Sequence, residues 1–252
     1  MDRRTLRVKL FRWTLSIGVF FLLWEIVGRS GNFISIVPPS VVIPELFEML
    51  AEGDILVAAR STLALAATGF VIGAVIGIPT GAWMAASPRA AAVLDPIVSA
   101  AFSVPFALFI PVISIYLGLE FTAKVALVVL FNVFIIIINT ATGIREVPAG
   151  SKEMARSVET SRIDTYRKVI LPWASPHIIT GLRLGVGRSV QGAILADLFL
   201  RAQSLGLFIV DAQGRFDIPR LLAAVFFVTI LATGVMGIAR LVEWKILAWK
   251  RA

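Results

Sequence analysis

Apolar residues fall into six long runs along this chain, about 10–27, 61–86, 97–117, 123–144, 177–200 and 220–242, with polar stretches between them. A helix of about 20 apolar residues crosses the hydrocarbon of a bilayer. Each run therefore predicts a membrane-crossing helix, and the chain predicts an all-α integral membrane bundle. The first run follows Arg3, Arg4, Arg7, Lys9 and Arg12 with no small-residue cleavage site behind it. That reads as an uncleaved first span whose N-terminus stays in the cytoplasm. Trp244, Lys245, Trp249, Lys250 and Arg251 close the sixth run and place the C-terminus on the same side.

The polar stretches carry their own signals. Residues 29–59 read as an external segment, in which 41–50 form a short amphipathic helix with Glu45 and Glu48 outward after Pro38, Pro39 and Ser40. Residues 87–95 read as a short inner turn, 118–122 as an outer one, and 201–218 as an outer loop. The most charge-dense insertion, 153–172, holds Glu153, Arg156, Glu159, Arg162, Asp164, Arg167 and Lys168 between two spans. Such a segment cannot lie in lipid, and its cations mark the inner side. Met154, Ala155 and Val158 recur at helical spacing. Ser161 with Asp164 has the spacing of a capping box that restarts a second helix. Tyr166, Val169 and Ile170 give that helix an apolar side, and Pro172 stops it. Ser175 and Pro176 then open the fifth span. The pattern is a helix–turn–helix on the inner surface within a cytoplasmic loop over 145–176; a plain solvated connection is the blander reading.

Composition narrows the class. With 58% hydrophobic residues and a mean hydropathy of +0.89 over 252 residues, a water-soluble domain is excluded. The net charge of +8 sits beside the spans, so it marks membrane orientation and not a nucleic-acid surface. No cysteine and a single His leave no disulfide frame, no thiolate chemistry and no metal cluster to assemble. No P-loop sequence is present, so this chain does not cradle ATP that way.

A few positions inside the spans depart from plain apolar filling. Gly69, Gly73, Gly77 and Gly81 repeat every four residues and predict a close helix–helix seam. Pro105 and Pro111 predict a broken or kinked third span, tolerated where backbone is buried or lines a cavity. Asn132 and Asn139 share a face of the fourth span and need polar partners. Arg183, at the inner end of the fifth span, can snorkel. Arg188 falls near its middle with Gln191 on the same side, and Asp197 lies near its outer end. A cation at that depth costs at least about 2.5 kcal/mol, so Arg188 either pairs structurally or lines the route of an anionic substrate. Asn132, Asn139, Arg188, Gln191 and Asp197 are the candidate pathway set.

Glu153-Met154-Ala155, followed by Ile170-Leu171-Pro172, resembles the EAA loop of ABC importer permeases. The resemblance extends over roughly 38–245, taking in Pro39-Ser40, Asn139-Thr140 and Gly143, and is nearest to the nitrate, taurine and aliphatic-sulfonate subfamily. The family usually has Gly where this chain has Glu159 and often Glu where it has Asp197. The resemblance implies a type I importer permease with six spans and both termini inside, in a bacterial inner membrane. Two copies, as a homodimer, would form one pathway. By the same resemblance Glu153, Met154, Ala155, Glu159, Leu171 and Pro172 engage a cytoplasmic ATP-binding subunit, which holds the ATP and Mg. A periplasmic or lipid-anchored binding protein would deliver the substrate to outer loops such as 201–218. The cargo implied is a small anion such as nitrate, taurine or an alkanesulfonate; a pyrimidine precursor is the alternative within the family. A stand-alone secondary transporter would also carry intramembrane charges and broken helices. An intramembrane enzyme lacks a nucleophile here.

Overall fold

A computed structural model describes residues 3–30, 36–157, 160–200 and 204–250. Every regular element among them is helical. In chain order these are α1 (Arg3–Arg29), α2 (Pro39–Glu52), α3 (Asp54–Ala86), α4 (Pro88–Ser103), α5 (Phe109–Leu117), α6 (Phe121–Arg145), α7 (Ala149–Ser157), α8 (Arg162–Thr165), α9 (Leu171–Phe199), α10 (Leu205–Gly214) and α11 (Ile218–Ile246). Among the described residues three helices are long and apolar enough to cross a membrane: α3, α6 and α11, the last counted through Trp249. A fourth joins them if the bent pair α4–α5 is one span. The other two expected spans fall in α1 and α9, which are 27 and 29 residues long but less apolar.

The chain divides into two compact units. One comprises Met1–Val57 and Phe208–Thr229. Here Pro38 and Pro39 start α2 at its N-cap and first turn, and Gly53 ends it in the left-handed region at φ 84°. The α2 side chains Val42, Leu46 and Met49 are buried at helical spacing. Trp24 of α1 donates its indole N–H to the carbonyl of Val37 at 3.0 Å, which fixes the approach to α2. Glu45 does not point outward as expected: it is largely covered and faces Arg220 at 3.5 Å, while Arg220 also reaches Glu52 at 2.6 Å. Burial pushes the Glu45 carboxyl above its ordinary 4.5, with Arg220 pulling the other way.

The second unit, Ala58–Leu207 with Ile230–Ala252, is built around α6. Half of the apolar window of α6 is buried, against 11% for α11. Leu127, Val128, Phe131 and Ile136 of α6 are among the covered side chains of its core. The glycine stripe of α3 lies against α6 of the same chain: Gly69 meets Val128, Gly73 meets Asn132, Gly77 meets Ile136 and Gly81 meets Thr140. A side chain at any of these would collide with its partner, which is why the backbones approach so closely. On the opposite helix Gly181, Gly185 and Gly192 of α9 stand against Asn139, Ile136 and Phe131.

Two expectations for the third span need adjusting. Residues 88–95 are not a turn: Ser87 caps α4 by accepting from the Ala90 N–H at 3.3 Å, with Pro88 in the first turn, so the helix starts there. The span does break, at Val104 and Pro105, and α4 and α5 diverge by 86°. Val104, forced out of the helical region by the proline after it, is extended at φ −79°, ψ 136°. Pro111, in the first turn of α5, breaks nothing.

Candidate functional site

In the charged segment 153–172 two short helices form, the end of α7 and α8. Ala155 of α7 is buried, whereas Glu153 is exposed and Met154 stands 66% exposed. Adjacent helical residues point about 100° apart, so Met154 is on the outward face and not in the apolar stripe with Ala155. The Thr160 N–H reaches back to the Ala155 carbonyl at 3.2 Å and closes α7. Ser161 then caps α8: its hydroxyl accepts from the Asp164 N–H at 3.1 Å and donates to the Asp164 carboxylate at 3.2 Å. Lys168 holds the other carboxylate oxygen at 3.2 Å. The outer face of the hairpin thus presents Glu153, Met154 and a 71%-exposed Ile163 with no partner in this chain among the described residues. Glu159 lies outside the described residues.

Pro172 does not stop the second helix. The chain passes from α8 through one π-helical stretch, Tyr166–Ile170, directly into α9. The Leu171 N–H bonds to the Tyr166 carbonyl, five residues back. That wider turn makes room for the proline ring, and Leu171 keeps helical angles, φ −64° and ψ −43°. Ser175 likewise caps nothing. Pro176 offers no N–H to the Pro172 carbonyl, and the Ser175 hydroxyl donates to that oxygen at 2.9 Å instead. Leu171, 41% exposed, and Pro172 therefore sit on a helix continuous with the fifth span. Where α6 ends, Arg145 pairs with Asp95 at 2.8 Å and His177 faces Glu146 at 2.9 Å. Gly143 lets α6 touch α9 at Ala174 and His177. The hairpin is thus continuous with α9, which in turn contacts the end of α6.

The structure divides the five candidate pathway residues. Asn132 is fully buried and donates to the carbonyls of Val128 at 2.8 Å and Gly69 at 3.1 Å. Asn139 donates to the Ile135 carbonyl at 2.7 Å and packs on Gly181. Asp197, only 2% exposed, accepts from Lys124 at 2.9 Å and from Thr62 at 2.6 Å, and Thr62 also receives the Leu205 N–H at 3.3 Å. These three bind helices together. Arg188 and Gln191 are different: both are exposed on α9, and the Arg188 guanidinium lies 5.9 Å from the centre of the Phe102 ring.

Sequence reading missed Lys124 and Thr62. The signal was present, because Lys124 opens the fourth span and Asp197 closes the fifth, so antiparallel neighbours bring them level. Arg183, at the end of α9 nearer the hairpin, pairs with Glu243 of α11 at 2.7 Å.

Comparison with known proteins agrees with this architecture. The model of the binding-protein-dependent transport system inner membrane component family matches residues 77–247. A Bacillus subtilis protein described as an aliphatic sulfonates transport permease, SsuC, is 29% identical over 93% of this chain and 86% of its own length. The nitrate import permease NrtB of Synechocystis is 25% identical over 88% of this chain and 84% of its own. The bicarbonate transport permease CmpB of Synechococcus elongatus is 28% identical over 89% and 84%. Among solved structures, an inward-facing MetNI methionine ABC transporter superposes with a TM-score of 0.67 at 18% identity, over 77% of this chain and 96% of that one. A helical bundle with a charged hairpin is what the sequence and the fold both describe; the family model matches more than half of it, and this chain belongs to the inner-membrane permease components of binding-protein-dependent ABC importers.

Proposed function

We propose that the chain is one of two identical membrane halves of an importer that takes up a small anion through a bacterial inner membrane. In this reading it has six spans with both termini in the cytoplasm. A binding protein, periplasmic or lipid-anchored, presents the cargo on the outside. A separate ATP-binding subunit, holding ATP and Mg, grips the hairpin 153–172 on the inside. Closure of the paired ATPases moves the two hairpins together, and the continuous run from α8 into α9 carries that displacement into the bundle as rigid-body motion. This chain supplies no covalent chemistry.

The observation that carries the reading is the outward face of the hairpin. Glu153, Met154 and Ile163 stand exposed on a capped, ion-paired scaffold. Bare apolar side chains beside a lone carboxylate on an otherwise polar surface mark a docking face. The cargo class rests on relatives named for sulfonates, nitrate and bicarbonate, together with the exposed Arg188 on α9.

The test is co-purification. Wild-type chain expressed with its ATP-binding subunit retains it through affinity purification, and Glu153→Arg loses it at least tenfold. Because the Glu153 side chain is exposed, the variant should remain monodisperse and melt as wild type does. Retention of the ATPase by a folded Glu153→Arg chain contradicts the assignment.

A further inference from the structure

Two costly features of this chain meet at one level of the bundle. The first is the backbone break at Ser103–Pro105, whose three residues are exposed. Its depth follows from the next residue: the Phe106 ring lies 5.4 Å from that of Phe131 and 5.7 Å from that of Phe134, at the middle of α6. The second is Arg188. Its depth follows from the antiparallel register of α6 and α9, in which Gly185 meets Ile136 and Gly192 meets Phe131. That register sets Arg188 level with the middle of α6 as well. The two features touch, since Phe102, just before the break, carries the Arg188 guanidinium over its ring.

Irregular backbone exposed at mid-membrane depth is not tolerated against lipid; it occurs where it lines water or protein. An exposed cation at the same depth obeys the same rule. No carboxylate pairs with Arg188 among the described residues, unlike Lys124, Arg145, Arg183 and Arg220, each of which has an acidic partner. The Phe102 ring offers the guanidinium no lone-pair acceptor, so this contact leaves its N–H donors available. Gln191, one helical turn along on the same side and also exposed, adds an amide.

We propose that Arg188, held over Phe102 at the break and flanked by Gln191, is the mid-passage station for the anionic cargo. Its guanidinium offers two parallel N–H donors to an oxyanion head such as a sulfonate, nitrate or carboxylate. A lone basic side chain with no built cage gives a brief stop and not a storage site, which suits a passage that must release what it takes. The assignment rests on the importer reading for the direction and drive of transport, but not for the chemistry of the station.

The chain has no cysteine, so a single introduced thiol reports one position. In membrane vesicles holding the assembled complex, Gln191→Cys should react with the water-soluble 2-sulfonatoethyl methanethiosulfonate, which is itself an alkanesulfonate. The reaction should be about tenfold faster than with the cationic trimethylammonium analogue, the scale on which a focused charge enriches counter-ions. Adding Arg188→Gln should abolish that preference, and adding Arg188→Lys should keep it. Uptake of nitrate and ethanesulfonate should follow the same order across Arg188 variants. If neither charged reagent reaches the thiol while a lipophilic maleimide does, this face meets lipid and the proposal is wrong. An unchanged preference in Arg188→Gln also overturns it. A chain that shows the preference but retains no ATPase loses the importer reading and keeps the station.

Discussion

At the scale of single residues the pair Lys124–Asp197 shows how a charge can be stable inside this bundle. Each partner is badly placed for its own helix: Lys124 lies in the first turn of α6 and Asp197 in the last turn of α9, both against the sign of the local dipole. Each is acceptable only because the other is 2.9 Å away and Thr62 satisfies the second carboxylate oxygen. Lys124→Met alone therefore strands a buried carboxylate and should cost roughly 3–5 kcal/mol, whereas Lys124→Met combined with Asp197→Leu should recover most of it. Reversible denaturation of the three proteins in micelles decides this; a double variant no better than the single would mean the pair contributes more than mutual neutralisation. The sequence pointed to Asp197 but not to its role. Hydropathy flags a charge within a span, and only the register between spans says whether that charge has a partner. Asn132 and Asn139 repeat the point: their shared face was readable from a spacing of seven residues, yet that it closes on Gly69 and Gly181 needed three helices in place.

At the scale of elements, prolines were the hardest residues to read. Pro105 breaks its span and Pro172 does not, though both stand in apolar surroundings. The difference lies in the residue before each: Val104 goes to the extended region, while Leu171 stays helical because a π turn widens ahead of the ring. That choice depends on packing, so sequence could locate the prolines without deciding their effect. The helix α2 shows the same limit for charge. Its apolar stripe was plain, but Glu45 turns in toward Arg220, which lies 175 residues away in sequence and only 3.5 Å away in space. This gives a dependence on pH. Burial raises the Glu45 carboxyl above 4.5, with Glu48, Glu52 and Asp217 adding to the rise and Arg220 opposing it. A carboxyl that holds its proton more tightly when folded stabilises the fold fully below its unfolded pKa and loses that contribution as pH rises through the folded one. Amide protection at Val42, Leu46 and Met49 should therefore decline as pH climbs past the ordinary glutamate range. The decline should vanish in Glu45→Gln, and a wild-type profile flat across that range would contradict it.

At the scale of the whole molecule, the pattern of runs announced a helical membrane bundle and the motif at 153–172 a likeness to permeases, and the remaining question is which way it faces. The second unit supplies a ruler. The 25 residues of α6 span about 37 Å, enough to cross the hydrocarbon, so the turn before it and the hairpin after it emerge on opposite sides. Cations crowd the hairpin end, where Arg145, Arg167 and Lys168 lie, and the turn between α5 and α6 has Glu120. The bias of basic residues toward the cytoplasm then predicts that the hairpin lies inside. Because the chain contains no thiol, single replacements read this directly. Met154→Cys and Leu119→Cys are both suitable, at 66% and 61% exposed. In intact spheroplasts an impermeant maleimide should label Leu119→Cys and spare Met154→Cys, and inverted vesicles should give the reverse. The opposite result would place the docking face of the hairpin where no ATP-binding subunit could reach it. Labelling of both from one side would mean that α6 does not cross the membrane at all.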